Sequence, residues 1–187
     1  RIGSVAGGGV CRLAFSAEDK QGRDYIEARM RALGLTVRID RIGNILGVRR
    51  GASTGPLVLA GSHVDTVGTA GRFDGSVGVI GALEVVETLN DANVSTGRPI
   101  GVMAFANEEG ARFVPDMMGS LVFRGDLQVD DARSRVDRDG VSVGEAIDRT
   151  GYAGTDDLAD VAVRAYLELH IEQGPILENA DTGIGVV

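Results

Sequence analysis

Two histidines occur in the 187 residues, and each stands among carboxylates. His63 lies in Gly61-Ser62-His63-Val64-Asp65-Thr66-Val67. On a strand, alternation sends His63 and Asp65 to the same side. An imidazole beside a carboxylate at a strand's C-terminal end is a ligand with its orienter: the carboxylate fixes the tautomer and leaves the other ring nitrogen for a metal. The competing reading is a core histidine satisfied by hydrogen bonding. Asp74, in Gly71-Arg72-Phe73-Asp74-Gly75-Ser76, can bridge two cations, with Gly75 allowing close approach, or can serve as a helix N-cap. Glu108 and Glu109 follow the apolar run Ile100-Gly101-Val102-Met103-Ala104-Phe105-Ala106, which places them at the carboxyl edge of a central strand, where α/β proteins build sites. Adjacent carboxylates there repel unless a cation or proton intervenes. One can ligate a metal while the other faces a water; a solvated acidic loop is the alternative. The fourth segment is Tyr166-Leu167-Glu168-Leu169-His170-Ile171-Glu172-Gln173-Gly174-Pro175. Alternation puts Leu167, Leu169 and Ile171 on one face and Glu168, His170 and Glu172 on the other. That face is a ligand flanked by acids, or an exposed sheet face.

The elements that must position these residues can be read from periodicity. Ser16, with Glu18 and Asp19 after it, predicts a capped helix that stops at Gly34. Strands are expected over residues 35–40, 45–49 and 57–60, with Gly43 and Asn44 supplying left-handed turn residues. A glycine-rich polar passage then leads to a helix over 76–89, striped by Val79, Leu83 and Val86. The strand at 100–106 follows. A looser stretch over 125–154 holds a short helix at 143–150, before strands at 165–172 and from 184 onward. Strands alternating with helices indicate an α/β fold around a central mixed sheet flanked by helices.

Composition narrows the function. The balance of 43% hydrophobic and 25% charged residues is globular, and 28 glycines spread without a period suit tight turns and close backbone approaches. A net charge of −8 argues against nucleic acid, since phosphate binding needs a basic surface. No apolar run reaches the ~18 residues of a membrane span, so no membrane partner is expected. A single cysteine, Cys11, excludes an internal disulfide and thiolate metal sites, and suits a reducing cytoplasm. The chain begins at Arg1 rather than Met, which leaves room for a preceding targeting segment. Gly75, Gly78 and Gly81 are spaced G-x-x-G-x-x-G, which is not the dinucleotide fingerprint. No G-x-S-x-G is present for a nucleophilic serine.

Taken in order, Ser-His-x-Asp-x-Val, Gly-x-x-Asp-Gly, Asn-Glu-Glu-Gly-x-Arg-Phe and Glu-Leu-His-Ile-Glu-Gln-Gly-Pro resemble the hydantoinase/carbamoylase family of metal-dependent amidohydrolases. That family includes N-carbamoyl-L-amino acid hydrolases and allantoate amidohydrolases and is related to the dinuclear zinc aminopeptidases. The likeness extends to Arg12-Leu13-Ala14-Phe15-Ser16 and Gly43-Asn44. It implies a zinc-aminopeptidase-like catalytic domain binding two divalent metal ions, with Asp74 bridging, His63 and His170 completing one site and Glu109 belonging to the other. Glu108 would be the general base, Asp65 the orienter of His63, and Gln173 a substrate contact; Arg112, Phe113 and Pro115 would be structural. Imidazole and carboxylate ligands suit Zn, Mn, Co or Ni without choosing among them. The implied reaction is hydrolysis of a linear amide C–N bond in a small ureido or carbamoyl substrate.

The resemblance further implies that residues 1–187 are the N-terminal part of the catalytic domain. A lid that also forms a homodimer, an arginine for the substrate carboxylate and a final histidine for the second metal would lie outside them. The isolated chain is then expected to have little or no hydrolase activity. Two alternatives stand beside this reading. One is an aminopeptidase or N-acyl-amino-acid deacylase of the same fold, against which His170 and Gln173 count; the other is an inactive metal-binding remnant.

Overall fold

In the computed structural model, which describes residues 1–187, the Ser16 hydroxyl accepts the Asp19 backbone N–H at 3.1 Å and opens helix α1 (Ala17–Ala32). Gly34, at φ 78°, ends it. Strands β1 (Thr36–Ile39) and β2 (Ile45–Arg49) form a hairpin, and β3 (Leu57–His63) leads through a loop to α2 (Ser76–Asp91). Strand β4 (Ile100–Phe105) precedes three short helices, α3 (Met118–Arg124), α4 (Val129–Ser134) and α5 (Val143–Thr150). A Ser142–Glu145 capping box starts α5. Strand β5 (Val163–Leu167) and helix α6 (Ile176–Asn179) complete the chain.

The sheet has the order β1-β2-β4-β3-β5, with β1, β2 and β4 antiparallel and β4, β3 and β5 parallel, so it is mixed as expected. Alternation on β4 divides the core. Val102 and Ala104 face a large cluster with Ile26 and Met30 of α1 and Val79, Leu83 and Val86 of α2. Met103 and Phe105 face Leu57, Leu59 and Leu158 on the other side. Each such fully buried aliphatic side chain contributes about 1.5–3 kcal/mol, which is what holds β3 and β4 in register. In that register His63 pairs with Phe105, so both strands end level and their following residues share the sheet's carboxyl edge.

Four expectations are corrected. The strand expected over 165–172 ends at Leu167: past the last pair, Ala60↔Leu167, the Glu168 side chain turns to Ser62 and the Leu169 carbonyl lies against Gly78, so the chain leaves the ladder. Glu168, His170 and Glu172 therefore do not share a strand face. No strand forms from 184; α6 precedes that segment, and it pairs with nothing. The φ > 0 role in the first hairpin falls to Gly43 alone (φ 84°), because Asn44 is tied into the core by its side chain. Helices α3 and α4 form within and just ahead of the stretch read as loose.

Candidate active site

His63 is the last residue of β3 and is 1% exposed. Its Nδ1 lies 2.9 Å from the Asp65 backbone carbonyl. A carbonyl only accepts, so Nδ1 carries the proton and Nε2 keeps its lone pair. Nε2 faces Glu108 Oε2 at 3.4 Å and Asp74 Oδ1 at 4.0 Å. Gly75 makes this possible: at φ 60° it lies flat against the imidazole, and a Cβ there would overlap the ring. Gly75 is also the N-cap of α2, which has no side-chain cap, so Asp74 is not engaged as a helix cap.

Asp65 orients His63 through its carbonyl rather than its carboxylate, whose Oδ1 is 3.9 Å from Nδ1. The chain leaves the strand after His63, and the carboxylate turns under the neighbouring loop. There it accepts the backbone N–H groups of Glu108 and Glu109, both at 3.2 Å. Burial pushes its pKa up, as does the Asp19 charge, against the pull of His63 and the Glu108 N–H.

The loop carrying the two glutamates is pinned on every side. The Ala106 N–H donates to Asn44 Oδ1 at 2.9 Å, while Asn44 Nδ2 donates to Asp40 Oδ2 at 2.7 Å and to the Gly119 carbonyl at 3.0 Å. Asn107, buried at φ 48°, donates through Nδ2 to the Phe113 carbonyl at 2.8 Å and the Pro115 carbonyl at 3.2 Å. Arg112 bonds Asp137 at 3.0 Å and the Ala14 carbonyl at 2.9 Å, consistent with a structural part. Glu109 Oε1 is buried without a hydrogen-bond partner, and burial, Asp74 and Glu108 together raise the Glu109 pKa.

His170 arrives from the exposed side. Its Nδ1 lies 2.9 Å from the Ile171 carbonyl, so its Nε2 is also the free nitrogen, 3.3 Å from Asp74 Oδ1. The two imidazoles lie 5.9 Å apart at 29°. Ligand atoms of His63, Asp74 and His170 lie within 4.8 Å of one another. Gln173, at φ 57°, donates to Asp74 Oδ2 at 2.9 Å, so its amide rests on the central carboxylate.

These residues and the glutamate pair line a cavity of about 220 Å³ with Asp116 and Met117. The last two were not singled out from the sequence; Met117 reaches the site through a φ of 53°, which composition does not signal. A larger cavity of about 680 Å³, beside Arg112, Arg138 and Arg149, contains none of the expected ligands, so chemistry rather than volume selects the smaller one. Two imidazole lone pairs and a shared carboxylate, with an unpartnered buried carboxylate oxygen alongside, fit divalent cations of the zinc, manganese, cobalt and nickel group.

Residues 59–187 match the model of peptidase family M20/M25/M40. Over its whole length the chain is 42% identical to the N-carbamoyl-L-amino acid amidohydrolase of Geobacillus stearothermophilus, covering 46% of that protein. Ninety-five per cent of the chain matches the ureidoglycolate hydrolase of Oryza sativa subsp. japonica at 40% identity, covering 38% of it. Among solved structures, a hydantoinase/carbamoylase family amidase from Burkholderia ambifaria superposes with a TM-score of 0.93 at 48% identity, over 97% of this chain and 45% of that one. The chain thus spans less than half the length of these relatives.

Proposed function

The chain belongs to peptidase family M20/M25/M40, and from that membership we propose that the whole protein is a metal-dependent amidohydrolase acting on a linear amide C–N bond of an N-carbamoyl amino acid or related ureido compound. The observation that carries the reading is the convergence of His63, Asp74 and His170 on one point, with Glu108 and Glu109 beside it at the sheet's carboxyl edge. His63, Asp74 and His170 would hold one cation, and Asp74 with Glu109 part of a second. Bound there, divalent cations supply Lewis acidity toward the amide carbonyl and lower the pKa of water.

The protein's own groups then do the following. Asp65 holds the backbone of both glutamates, so Glu108 and Glu109 keep fixed and different directions. Glu108, whose side chain keeps access to solvent, accepts the proton of the attacking water at its carboxylate and returns it to the departing nitrogen. The fixed Nδ1–H tautomer of each histidine keeps its Nε2 toward Asp74. Gln173, now resting on Asp74, would turn its amide to the substrate. For an N-carbamoyl amino acid, water and substrate give the free amino acid, carbon dioxide and ammonia. A homodimer formed through a lid outside these residues, in a reducing cytoplasm, completes the proposal.

The test uses the full-length protein, loaded with metal, against N-carbamoyl amino acids, ureidoglycolate, N-acyl amino acids and dipeptides. Turnover should favour the carbamoyl and ureido compounds, and Glu108→Gln should lower it at least ~100-fold without loss of metal. Preference for dipeptides would make it a peptidase instead, and near-normal turnover by Glu108→Gln would place the base elsewhere.

A further inference from the structure

His170 poses a mechanical problem. It follows an edge strand whose residues are all exposed, and the β3–β5 ladder ends at Ala60↔Leu167, three residues before it. Beyond that pair no strand ladder sets where His170 lies. Yet His170 Nε2 must stay near Asp74 if the two imidazoles are to share a cation.

The contact that spans the gap is Glu168. Its Oε1 accepts the hydroxyl of Ser62, and its Oε2 accepts the hydroxyl of Tyr166 at 2.7 Å. Ser62 is 1% exposed and immediately precedes His63. One hydrogen bond therefore joins the residue before one imidazole to the residue two before the other. Both carboxylate oxygens are occupied by these donors, and Glu168 does not line the site cavity, so it is not itself placed to ligate. The next residue continues the brace: the Leu169 carbonyl lies so close to Gly78 of α2 that a Cβ there would come within 2.7 Å of it.

We propose that Glu168 is a positioning residue which, through Ser62, fixes the separation of His63 and His170 and so sets the cation affinity of their site. This deepens the metal reading above and rests on it. The Tyr166 hydroxyl also reaches the Gly61 carbonyl of β3 at 3.2 Å, but its single proton serves one acceptor at a time and its removal leaves the Ser62–Glu168 bond in place.

Cobalt(II) affinity of the full-length protein, read by calorimetry and by the visible absorption band, tests the proposal beside far-UV circular dichroism and a urea midpoint. Ser62→Ala and Glu168→Ala should each weaken binding ~10–100-fold, the usual cost of removing a partner that orients a metal ligand. The double variant should lose no more than the stronger single one. Glu168→Gln, which keeps an acceptor for Ser62, should retain most of the affinity, and Tyr166→Phe should lose least. Folded Ser62→Ala and Glu168→Ala chains that bind cobalt as tightly as the parent would overturn the inference. So would Glu168→Gln losing as much as Glu168→Ala. If instead the parent takes up no cobalt, or His170→Ala binds it unchanged, the site reading itself fails and this inference goes with it.

Discussion

His63 and His170 reach the same aspartate from two unlike regions of the molecule. His63 ends a central strand, is 1% exposed, has Gly75 flat against its ring, and is followed by an aspartate tied to both glutamates. His170 follows an edge strand with no buried residue, and its side chain is 30% exposed. The first region is built by core packing and would stand without a ligand. The second is held by the polar contacts of Glu168, Tyr166 and Gln173, by Tyr166 against Phe105 and by Leu169 against α2. Substitutions on the His63 side should therefore cost fold stability, and those on the His170 side should cost binding alone.

The sharpest way to break this contrast is Gly75→Ala. It puts a side chain into a left-handed position and against the His63 ring at once, at a cost of about 3–5 kcal/mol of unfolding free energy. A loss under about 1 kcal/mol in urea would show that the buried half is looser than its packing suggests.

A pH titration comes next. Asp40 accepts three hydrogen bonds in the first hairpin, yet burial pushes its pKa up to about 6. A raised acid favours the folded state fully below its unfolded value, and the advantage is lost as pH rises through the folded value. Between about pH 4 and pH 6 this group should therefore withdraw up to about 3 kcal/mol of stability, the linkage equivalent of such a shift. The wild-type advantage over Asp40→Asn should shrink across that window. A constant difference would mean the buried carboxylate is better solvated by its N–H donors than burial implies. Exposed Glu145, whose pKa is lowered by the Ser142 cap, runs the other way: its contribution is present above the ordinary carboxylate range and lost as pH falls through its lowered value.

Asp65→Asn should be milder, about 2 kcal/mol, because one amide oxygen cannot accept both backbone N–H groups and the amide nitrogen meets the other. Equal stability to the parent would remove Asp65 from its place under the glutamates. Smallest on the stability scale is His170→Ala, expected within about 0.5 kcal/mol of the parent while cobalt affinity falls at least tenfold. A large loss of stability would show that the exposed region is part of the core after all.

The same contrast explains what the sequence made legible. Where helices cover the sheet, local pattern and tertiary structure agree at the Ser16 cap, the α2 stripe and the apolar run of β4. The order of motifs also picked out the residues that line the cavity, except Asp116 and Met117. Pattern failed past the end of β5. The alternation from Leu167 to Glu172 reads as a half-buried strand, but contacts to Ser62 and to Gly78 of α2 draw the chain out of the ladder after Leu167. Contacts between distant segments were also invisible: Asn44 to Ala106, Ser62 to Glu168, and the Asp65 carboxylate beneath Glu108 and Glu109. These depend on register between strands, which no local window contains. Positive φ at Asn107, Met117 and Gln173 is likewise imposed by the loops around them.

The central claim is that His63, Asp74 and His170 form one cation site across these two regions. A crystal structure of the full-length protein grown with cobalt, with anomalous scattering recorded at the cobalt edge, tests it most directly. A peak bonded to Nε2 of both histidines and to an Asp74 oxygen is the predicted result. An anomalous peak elsewhere, with these three side chains left unligated, would contradict it.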